Sequence, residues 1–99
     1  MTQPVCKVWF SKYREAWYKL TTEEQEALNA QVAASLKSVG GEMMMLRYCV
    51  WSSEEWLAWG VEKYPSIEAI QQHALNLYGL KWFMYIESKT YLGAEMPPG

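Results

Sequence analysis

The residues of this sequence that could carry out acid–base chemistry are few: the single histidine, His73, together with Arg47, Glu62 and Tyr64. An imidazole can exchange a proton near neutral pH, and a guanidinium can stabilise an oxyanion that develops on a substrate. Glu62 would pair with Arg47 and position it, and the Tyr64 hydroxyl would orient a polar group of the substrate. The sequence therefore predicts a proton-transfer site, provided that these side chains meet in space.

Each of these residues also has a purely structural interpretation, which the sequence leaves open. Arg47 and Glu62 would then form an ion pair at the margin of a sheet, with both charges in water. His73 would lie at the border of a helix or in solvent, and Tyr64 would be a core aromatic. Burying an ion pair costs several kcal/mol for each ion. A buried pair would therefore favour the functional interpretation.

The hydrophobic pattern predicts the strands and helices that would position these residues. The predicted strands are 5–11, 43–51 and 82–91, and the predicted helices are 22–39 and 67–78. Thr21 and Glu24 match a capping box for the first helix, and Ser66 would cap the second. Gly40 and Gly79 would end them. The expected buried stripes are Leu28, Val32, Leu36 and Val39 in the first helix, and Ile67, Ile70, Ala74 and Leu77 in the second.

Residues 52–64 can be interpreted in two ways. Ser52 and Glu55 match a capping box, which would begin a helix. Gly60 would then destabilise that helix by about 1 kcal/mol, whereas Val61 and the tryptophans favour a strand. We prefer the strand, which gives the order β-α-β-β-α-β of the ferredoxin-like α+β class, an antiparallel sheet with both helices on one face. We expect one domain at 1–93 and a flexible tail at 94–99.

A tight turn at Ser53–Glu54 would set the two faces of the central hairpin. One face would lie under the helices, and the small side chains there would leave room for a ligand. Side-chain alternation assigns to this face the residues Arg47, Trp56, Ala58, Gly60 and Glu62. The opposite face would be almost entirely apolar and would include Tyr48, Leu57, Trp59 and Val61.

The amount of apolar side chain exceeds what a small domain can bury. Hydrophobic residues make up 51% of the 99 residues, and six residues are tryptophans, although a chain of this size has a thin core. A second copy of the chain, stacked on the apolar face about a two-fold axis, would cover the excess. We therefore expect a homodimer, with a cavity for a small apolar or aromatic ligand as a further way to use the aromatic side chains.

Several classes of function are disfavoured by composition. The net charge is −2 and no basic cluster is present, which argues against nucleic acid; no apolar run has the roughly 20 residues that cross a bilayer. The first residues do not resemble a signal peptide, so we expect a cytoplasmic protein with Cys6 and Cys49 reduced. One histidine and two separated cysteines predict no metal site.

Trp17 would line a lid over the site or anchor its loop on the body.

Two segments carry a resemblance to a known group. They are WYKLTTEEQ (17–25), ahead of the first helix, and WGVEKYPSIEAI (59–70), where the third strand leads into the second helix. With the element order, they make the chain resemble the dimeric α+β barrel superfamily, which includes antibiotic-biosynthesis and haem-degrading monooxygenases, polyketide cyclases, muconolactone isomerases and stress-responsive barrel proteins. The first segment looks most like a set of uncharacterised small bacterial members.

The resemblance implies a pocket between the helices and the sheet, lined by the aromatic residue before the second helix, here Tyr64. Haem-degrading members use an asparagine on the first strand, and the strand that begins at Val5 has none. That departure argues against haem, although His73 matches their helix histidine. Cyclase members use a histidine and a tyrosine, which would be His73 with Tyr64 or Tyr78.

We therefore expect an enzyme without a cofactor that acts on a small, flat, apolar or phenolic molecule by cyclisation, isomerisation or oxygenation. The alternative is a dimeric protein that binds a small ligand or has a stress-related structural role. A cavity that gathers His73, Arg47 and Tyr64 around one point would favour the enzyme. An outward-pointing His73 would favour the alternative.

Overall fold

A computed structural model describes residues 3–95 and shows one four-stranded antiparallel sheet in the order β2-β3-β1-β4. Helices α2 and α3 pack on the same face of the sheet, where Val5, Tyr64 and Ile70 form a buried cluster. The ferredoxin-like α+β arrangement expected from the sequence is therefore confirmed. The elements are β1 (Val5–Tyr13), α1 (Glu15–Tyr18), α2 (Thr22–Ser38), β2 (Glu42–Tyr48), β3 (Ala58–Tyr64), α3 (Ile67–Gly79), a 3-10 turn (Trp82–Met84) and β4 (Ile86–Ala94).

Both long helices begin where the capping residues predict, and α2 also ends there, whereas α3 includes Gly79 and is followed by Lys81 in the left-handed conformation, with a φ of 61°. The Thr21 hydroxyl accepts a hydrogen bond from the Glu24 amide at 3.1 Å, and the Glu24 carboxylate accepts one from the Thr21 amide at 2.9 Å. Gly40 has a φ of 77°, a left-handed conformation that favours glycine, and it ends α2. Ser66 accepts from the Ala69 amide at 3.2 Å and begins α3.

The buried stripe of α3 differs from the expected one. Ile67 and Ala74 are exposed, whereas Ile70, His73 and Leu77 are buried. His73 therefore lies in the middle of the buried stripe and not at its border. The apolar periodicity could not show this, because a histidine counts as polar and its burial depends on a hydrogen-bond partner from another element.

The register predicted for the central hairpin was wrong. β2 and β3 are joined by residues 49–57 and not by a tight turn, and the β2–β3 ladder has an irregularity between Met43 and Met45. Tyr48 therefore opposes Ala58, and Arg47 opposes Trp59. Because a shift of one residue exchanges the faces of a strand, Arg47 leaves the helix-covered face and Tyr48 joins it.

The sheet face that points away from the helices, called the open face below, has an apolar centre. Cross-strand partners in β1 and β3 place on it Val8, Phe10, Trp59 and Val61. Trp56 was expected on the helix-covered face, but its ring lies 6.2 Å from that of Phe10 and 5.5 Å from Lys12 Nζ, both on the open face. The longer connection before β3 carries Trp56 to this side.

The segment after β1 is fixed to the body by aromatic contacts. Trp17 is buried in α1 and stacks on Tyr13 with ring centroids 4.4 Å apart. It also meets Trp82 and Tyr85 edge-on, at 5.9 and 6.5 Å. These contacts correspond to the anchor interpretation of Trp17 and not to a lid.

The last strand starts later and ends later than expected. Trp82–Met84 forms a 3-10 turn, so that β4 begins at Ile86, and the strand continues to Ala94. The first residue of the expected tail thus belongs to the sheet, and residues 96–99 lie outside the described part of the chain.

Three further findings concern residues 3–95. No helix in this range has the length and apolar character needed to cross a membrane. The same range holds no group of three or more metal-ligating side chains. Cys6 is exposed on β1, Cys49 is buried after β2, and both are free thiols.

Gly60 makes room for the indole of Trp9, its cross-strand partner. A methyl group at Gly60 would lie 2.5 Å from Cζ2 and 2.7 Å from Cε2 of that ring. The space above Gly60, which the sequence analysis assigned to a ligand, is therefore filled by a side chain of the protein itself. This packing holds the indole in one orientation over the sheet.

We predict that Gly60→Ala lowers the free energy of unfolding by about 1–3 kcal/mol, because the added methyl overpacks against the Trp9 ring. Chemical denaturation would measure the effect. The matched control is Gly79→Ala at the end of α3, where no atom lies within 4 Å of the added methyl; it should leave stability unchanged or raise it by up to about 1 kcal/mol. Equal effects of the two substitutions would refute the packing role of Gly60.

Candidate functional site

A cleft of about 780 Å³ lies between the helices and the sheet. Helix-facing side chains of β1, β3 and β4 form its floor, and side chains of α2, α3 and the 3-10 turn form its walls. Most of the wall is apolar and includes Val32, Leu36, Leu77, Trp82 and Phe83. The volume is that of a pocket for a small organic molecule.

Glu62 provides the charged centre of the floor. It lies on β3, is only 6% exposed, and is the cross-strand partner of Lys7 on β1. Trp9 Nε1 donates a hydrogen bond to its Oε2 atom at 3.1 Å, and the Tyr64 hydroxyl donates to Oε1. Both carboxylate oxygens therefore have a donor from the protein, as a buried carboxylate requires.

Tyr64 is held in the core by that hydrogen bond. It is 1% exposed and packs with Val5 and Ile70. Burial raises the pKa of its hydroxyl far above the usual range, and the hydrogen bond to Glu62 and the carboxylate charge raise it further. The hydroxyl thus stays protonated and serves Glu62 rather than a ligand.

Lys7 supplies the positive charge of the site. Its Nζ atom lies 4.0 Å from Glu62 Oε1 and the side chain is largely buried at the cleft. Burial lowers the pKa of the Lys7 ammonium, and the Glu62 charge opposes that effect. The separation is too long for a hydrogen bond, so the ammonium is attracted to the carboxylate without donating to it.

His73 reaches the cleft from α3 and is 2% exposed. Its Nδ1 atom lies 2.8 Å from the Ser35 hydroxyl of α2, which also accepts a hydrogen bond from Asn76 Nδ2 at 3.0 Å. Within residues 3–95 every fully buried side-chain nitrogen or oxygen has a partner. Nε2 of His73 has none in this range, so that atom opens onto the cleft.

The imidazole is neutral near pH 7. Burial lowers the pKa of His73 and is the largest effect; the Glu62 carboxylate raises the pKa, and the Lys7 ammonium lowers it. The ring centroids of His73 and Tyr64 are 6.0 Å apart. The arrangement thus brings a neutral imidazole, an ammonium and a carboxylate together at one end of an apolar cleft.

The residues predicted from the sequence are only partly brought together. His73, Glu62 and Tyr64 meet as expected. Arg47 lines the cleft but forms no ion pair with Glu62 within residues 3–95: its side chain is exposed and donates to the Leu46 carbonyl at 2.9 Å. Trp56 packs on the open face.

Of the other predicted positions, Trp17 lies outside the cleft, and Gly60 is covered by Trp9. Leu57 and Tyr48, which were expected on the dimer face, line the cleft instead.

Sequence reasoning missed Lys7, Trp9, Ser35 and Asn76. A signal for the first two was present. Lys7 and Trp9 are spaced two residues apart in β1, between the buried residues Val5 and Ser11, and every second residue of a strand lies on the same face. Ser35 lies seven residues after Leu28 and belongs to the buried stripe of α2. Polar residues on the buried face of β1 and on the buried stripe of α2 could therefore have been proposed as site residues.

Burial of His73 predicts how stability depends on pH. Because burial lowers the pKa of the folded state, the neutral ring contributes fully to the free energy of unfolding above about pH 6.5, the ordinary value. That contribution is lost as the pH falls through 6.5 towards the lower folded pKa. Denaturation between about pH 7 and pH 5 should show a steeper loss for the native protein than for His73→Gln. Equal slopes would show that the ring is not buried in its neutral form.

Comparison with known proteins identifies the fold. No protein-family model matches the chain, and no curated protein matches its sequence. A chlorite dismutase variant from Candidatus Nitrospira defluvii is similar, with a TM-score of 0.77 and 12% identity over 99% of this chain and 42% of that chain. This chain thus spans about two fifths of the dismutase chain.

Two smaller enzymes match over most of their length. SnoaB, a cofactor-independent oxygenase from Streptomyces nogalater, is similar with a TM-score of 0.56 and 12% identity, covering 98% of this chain and 97% of that one. A hydroxynitrile lyase from Passiflora edulis has a TM-score of 0.58 and 13% identity, covering 99% of this chain and all of that one. These likenesses confirm the ferredoxin-like α+β fold of the chain.

Proposed function

We propose that this protein is an enzyme that works without a cofactor on a small, flat, largely apolar ketone or phenol bound in the cleft. Its reaction would be one in which negative charge develops on a ligand oxygen, as in enolisation, isomerisation, cyclisation or oxygenation. The supporting observation is the neutral, buried imidazole of His73, whose Nε2 atom opens onto the cleft in the neighbourhood of the Lys7 ammonium.

The residues divide the work between them. His73 and Lys7 stabilise the charge on the ligand oxygen, and Lys7 takes the electrostatic role that the sequence analysis gave to Arg47. Glu62 balances the charge of Lys7 and is itself held by Trp9 and Tyr64. In enolisation the C–H proton of the ligand passes to water, and its bonding pair moves through the enolate to the oxygen.

Two observations support an enzyme over a protein that only binds. His73 points into the cleft and not outward, and its environment keeps it neutral, so that the imidazole can stabilise a developing oxyanion as a hydrogen-bond donor. The structural likeness to SnoaB, a cofactor-independent oxygenase, and to a hydroxynitrile lyase shows that this fold accommodates enzymes. The alternative is that the same cleft only binds a ligand, and the following experiment distinguishes binding from catalysis.

The proposal is tested with 2-tetralone, a two-ring ketone with exchangeable hydrogens next to its carbonyl. In deuterated water, NMR should show faster exchange of those hydrogens with the protein than in buffer alone. His73→Ala and Lys7→Met should each reduce the acceleration by at least about tenfold, with folding checked by circular dichroism. Ser38→Ala, on the same helix as Ser35 but bonded only to a backbone carbonyl, is the control. Exchange at the buffer rate, or full activity of His73→Ala, would defeat the proposal.

We also propose that two copies associate through the open face. Its four central side chains, Val8, Phe10, Trp59 and Val61, form a continuous apolar surface in two cross-strand rows. Within residues 3–95 no helix packs on this side. A two-fold related copy would bury the surface against an identical one, which is the commonest solution for such a patch.

Sedimentation velocity would test this association. The native chain should sediment as a dimer at micromolar concentration, and Trp59→Asp should shift it towards the monomer because a charge would be buried between the sheets. Tyr48→Asp is the control, since Tyr48 is 65% exposed on the helix-covered side. A monomeric native chain, or a dimer that survives Trp59→Asp, would rule out the open face as the interface.

A further inference from the structure

We infer that Ser35 and Asn76 hold His73 in the tautomer whose Nε2 atom carries the proton, so that the polar end of the cleft presents hydrogen-bond donors and selects ligands with an acceptor oxygen. The inference shares one premise with the proposed function, namely that the ligand binds in the cleft. Ser35 and Asn76 are then positioning residues, because they act on the ligand through His73.

The direction of the hydrogen bonds follows from the chain of polar groups behind His73. Gln72 Nε2 donates to Asn76 Oδ1 at 2.9 Å, which turns the Asn76 Nδ2 atom towards Ser35 Oγ, 3.0 Å away. Ser35 Oγ therefore accepts one hydrogen bond. The acceptor in reach of its own hydrogen among residues 3–95 is His73 Nδ1, at 2.8 Å. Ser35 thus donates to Nδ1.

That donation fixes the tautomer. In a neutral imidazole one ring nitrogen accepts and the other carries the hydrogen. With Nδ1 accepting from Ser35, the hydrogen of His73 must lie on Nε2, the atom that opens onto the cleft. The ring is neutral because its burial outweighs the opposing charge of Glu62, and the Lys7 ammonium acts in the same direction as burial.

Each oxygen of Glu62, the carboxylate near His73, already accepts one hydrogen bond from the protein. Glu62 Oε2 accepts from Trp9, and Oε1 accepts from Tyr64. Lys7 Nζ is 4.0 Å from Oε1, beyond hydrogen-bond distance, and makes no hydrogen bond within residues 3–95. At this end the groups that make no hydrogen bond within residues 3–95 are therefore the Lys7 ammonium and the His73 Nε2–H, both of them donors.

The rest of the cleft does not change this polarity. The other polar groups that line the cleft can either donate or accept, except for the Arg47 guanidinium, which can only donate. They are the Asn29 amide and the hydroxyls of Ser11, Tyr13, Tyr48, Ser88 and Thr90. The remaining wall is mainly apolar. A ligand that fits would carry a ketone, carboxylate or phenolate oxygen at one end of a one- or two-ring apolar body. A ligand that offers only donors there would face the Lys7 and His73 donors and would bind more weakly.

Nitrogen NMR of the ligand-free protein tests the tautomer directly. The protonated and bare nitrogens of a neutral imidazole have well separated ¹⁵N shifts, so at about pH 7.5 the native protein should show His73 with the hydrogen on Nε2. Ser35→Ala should mix the two tautomers, and Ser38→Ala should leave the spectrum unchanged. A native spectrum with the hydrogen on Nδ1 would overturn the inference without affecting the cleft as a ligand site.

Binding of paired probes tests the selectivity. Calorimetric titration should give an affinity for 1-naphthoate at least about tenfold higher than for 1-naphthylmethylammonium, which has the same rings and only donors. Ser35→Ala should narrow that ratio and Ser38→Ala should not. Equal affinities would overturn the inference while leaving the proposed function standing. If neither probe bound and 2-tetralone were not turned over, the proposed function would fail, and the NMR result alone would decide the tautomer.

Discussion

The carboxylate of Glu62 is buried beneath the helices, and the arrangement of the site follows from what is needed to keep a charge there. A buried carboxylate is unfavourable unless donors surround it. Trp9 and Tyr64 meet that requirement with hydrogen bonds from two neighbouring strands, and the nearby Lys7 ammonium adds an opposite charge. Gly60 is needed for the same reason. Only a residue without a side chain leaves room for the Trp9 indole at the place where its Nε1 atom reaches Glu62. Each oxygen of Glu62 thereby accepts a hydrogen bond within the protein, whereas the Lys7 and His73 donors are left without an acceptor at the cleft.

Local sequence signals predicted the elements well, because capping and turn chemistry act within a few residues. Thr21 with Glu24, Ser66 and Gly40 each set a helix boundary through contacts with their own neighbours. The pairing of β2 with β3 could not be predicted in the same way. Its register depends on a long connection and an irregular ladder, and a shift of one position was enough to separate Arg47 from Glu62. His73 and Glu62 could be found in the sequence because one is the single histidine and the other is a charged residue within an apolar strand. Lys7 and Ser35 became evident only from their contacts with Glu62 and His73.

The fold and the chemistry are separable in this molecule. Chlorite dismutase, SnoaB and the hydroxynitrile lyase share the architecture at 12–13% identity and have different activities, so the architecture does not determine the reaction. What the fold provides is a cleft between two helices and a sheet. What this chain adds is the pair of donors at the end of that cleft, the apolar wall opposite them, and a second apolar surface on the outer side of the sheet. The two apolar surfaces have different proposed uses, a ligand and a second copy.

The most direct measurement is a crystal structure of the protein grown with 1-naphthoate. Our account predicts difference density for the two rings against Trp82 and Phe83, with the ligand carboxylate accepting hydrogen bonds of about 2.7–3.2 Å from Lys7 Nζ and His73 Nε2. The bonds from Trp9 and Tyr64 to Glu62 should be unchanged. Naphthoate bound with its rings at Glu62, or a ligand oxygen that displaces the Tyr64 hydroxyl from Glu62, would contradict the claim that Trp9 and Tyr64 hold Glu62 while the donors of Lys7 and His73 bind the ligand.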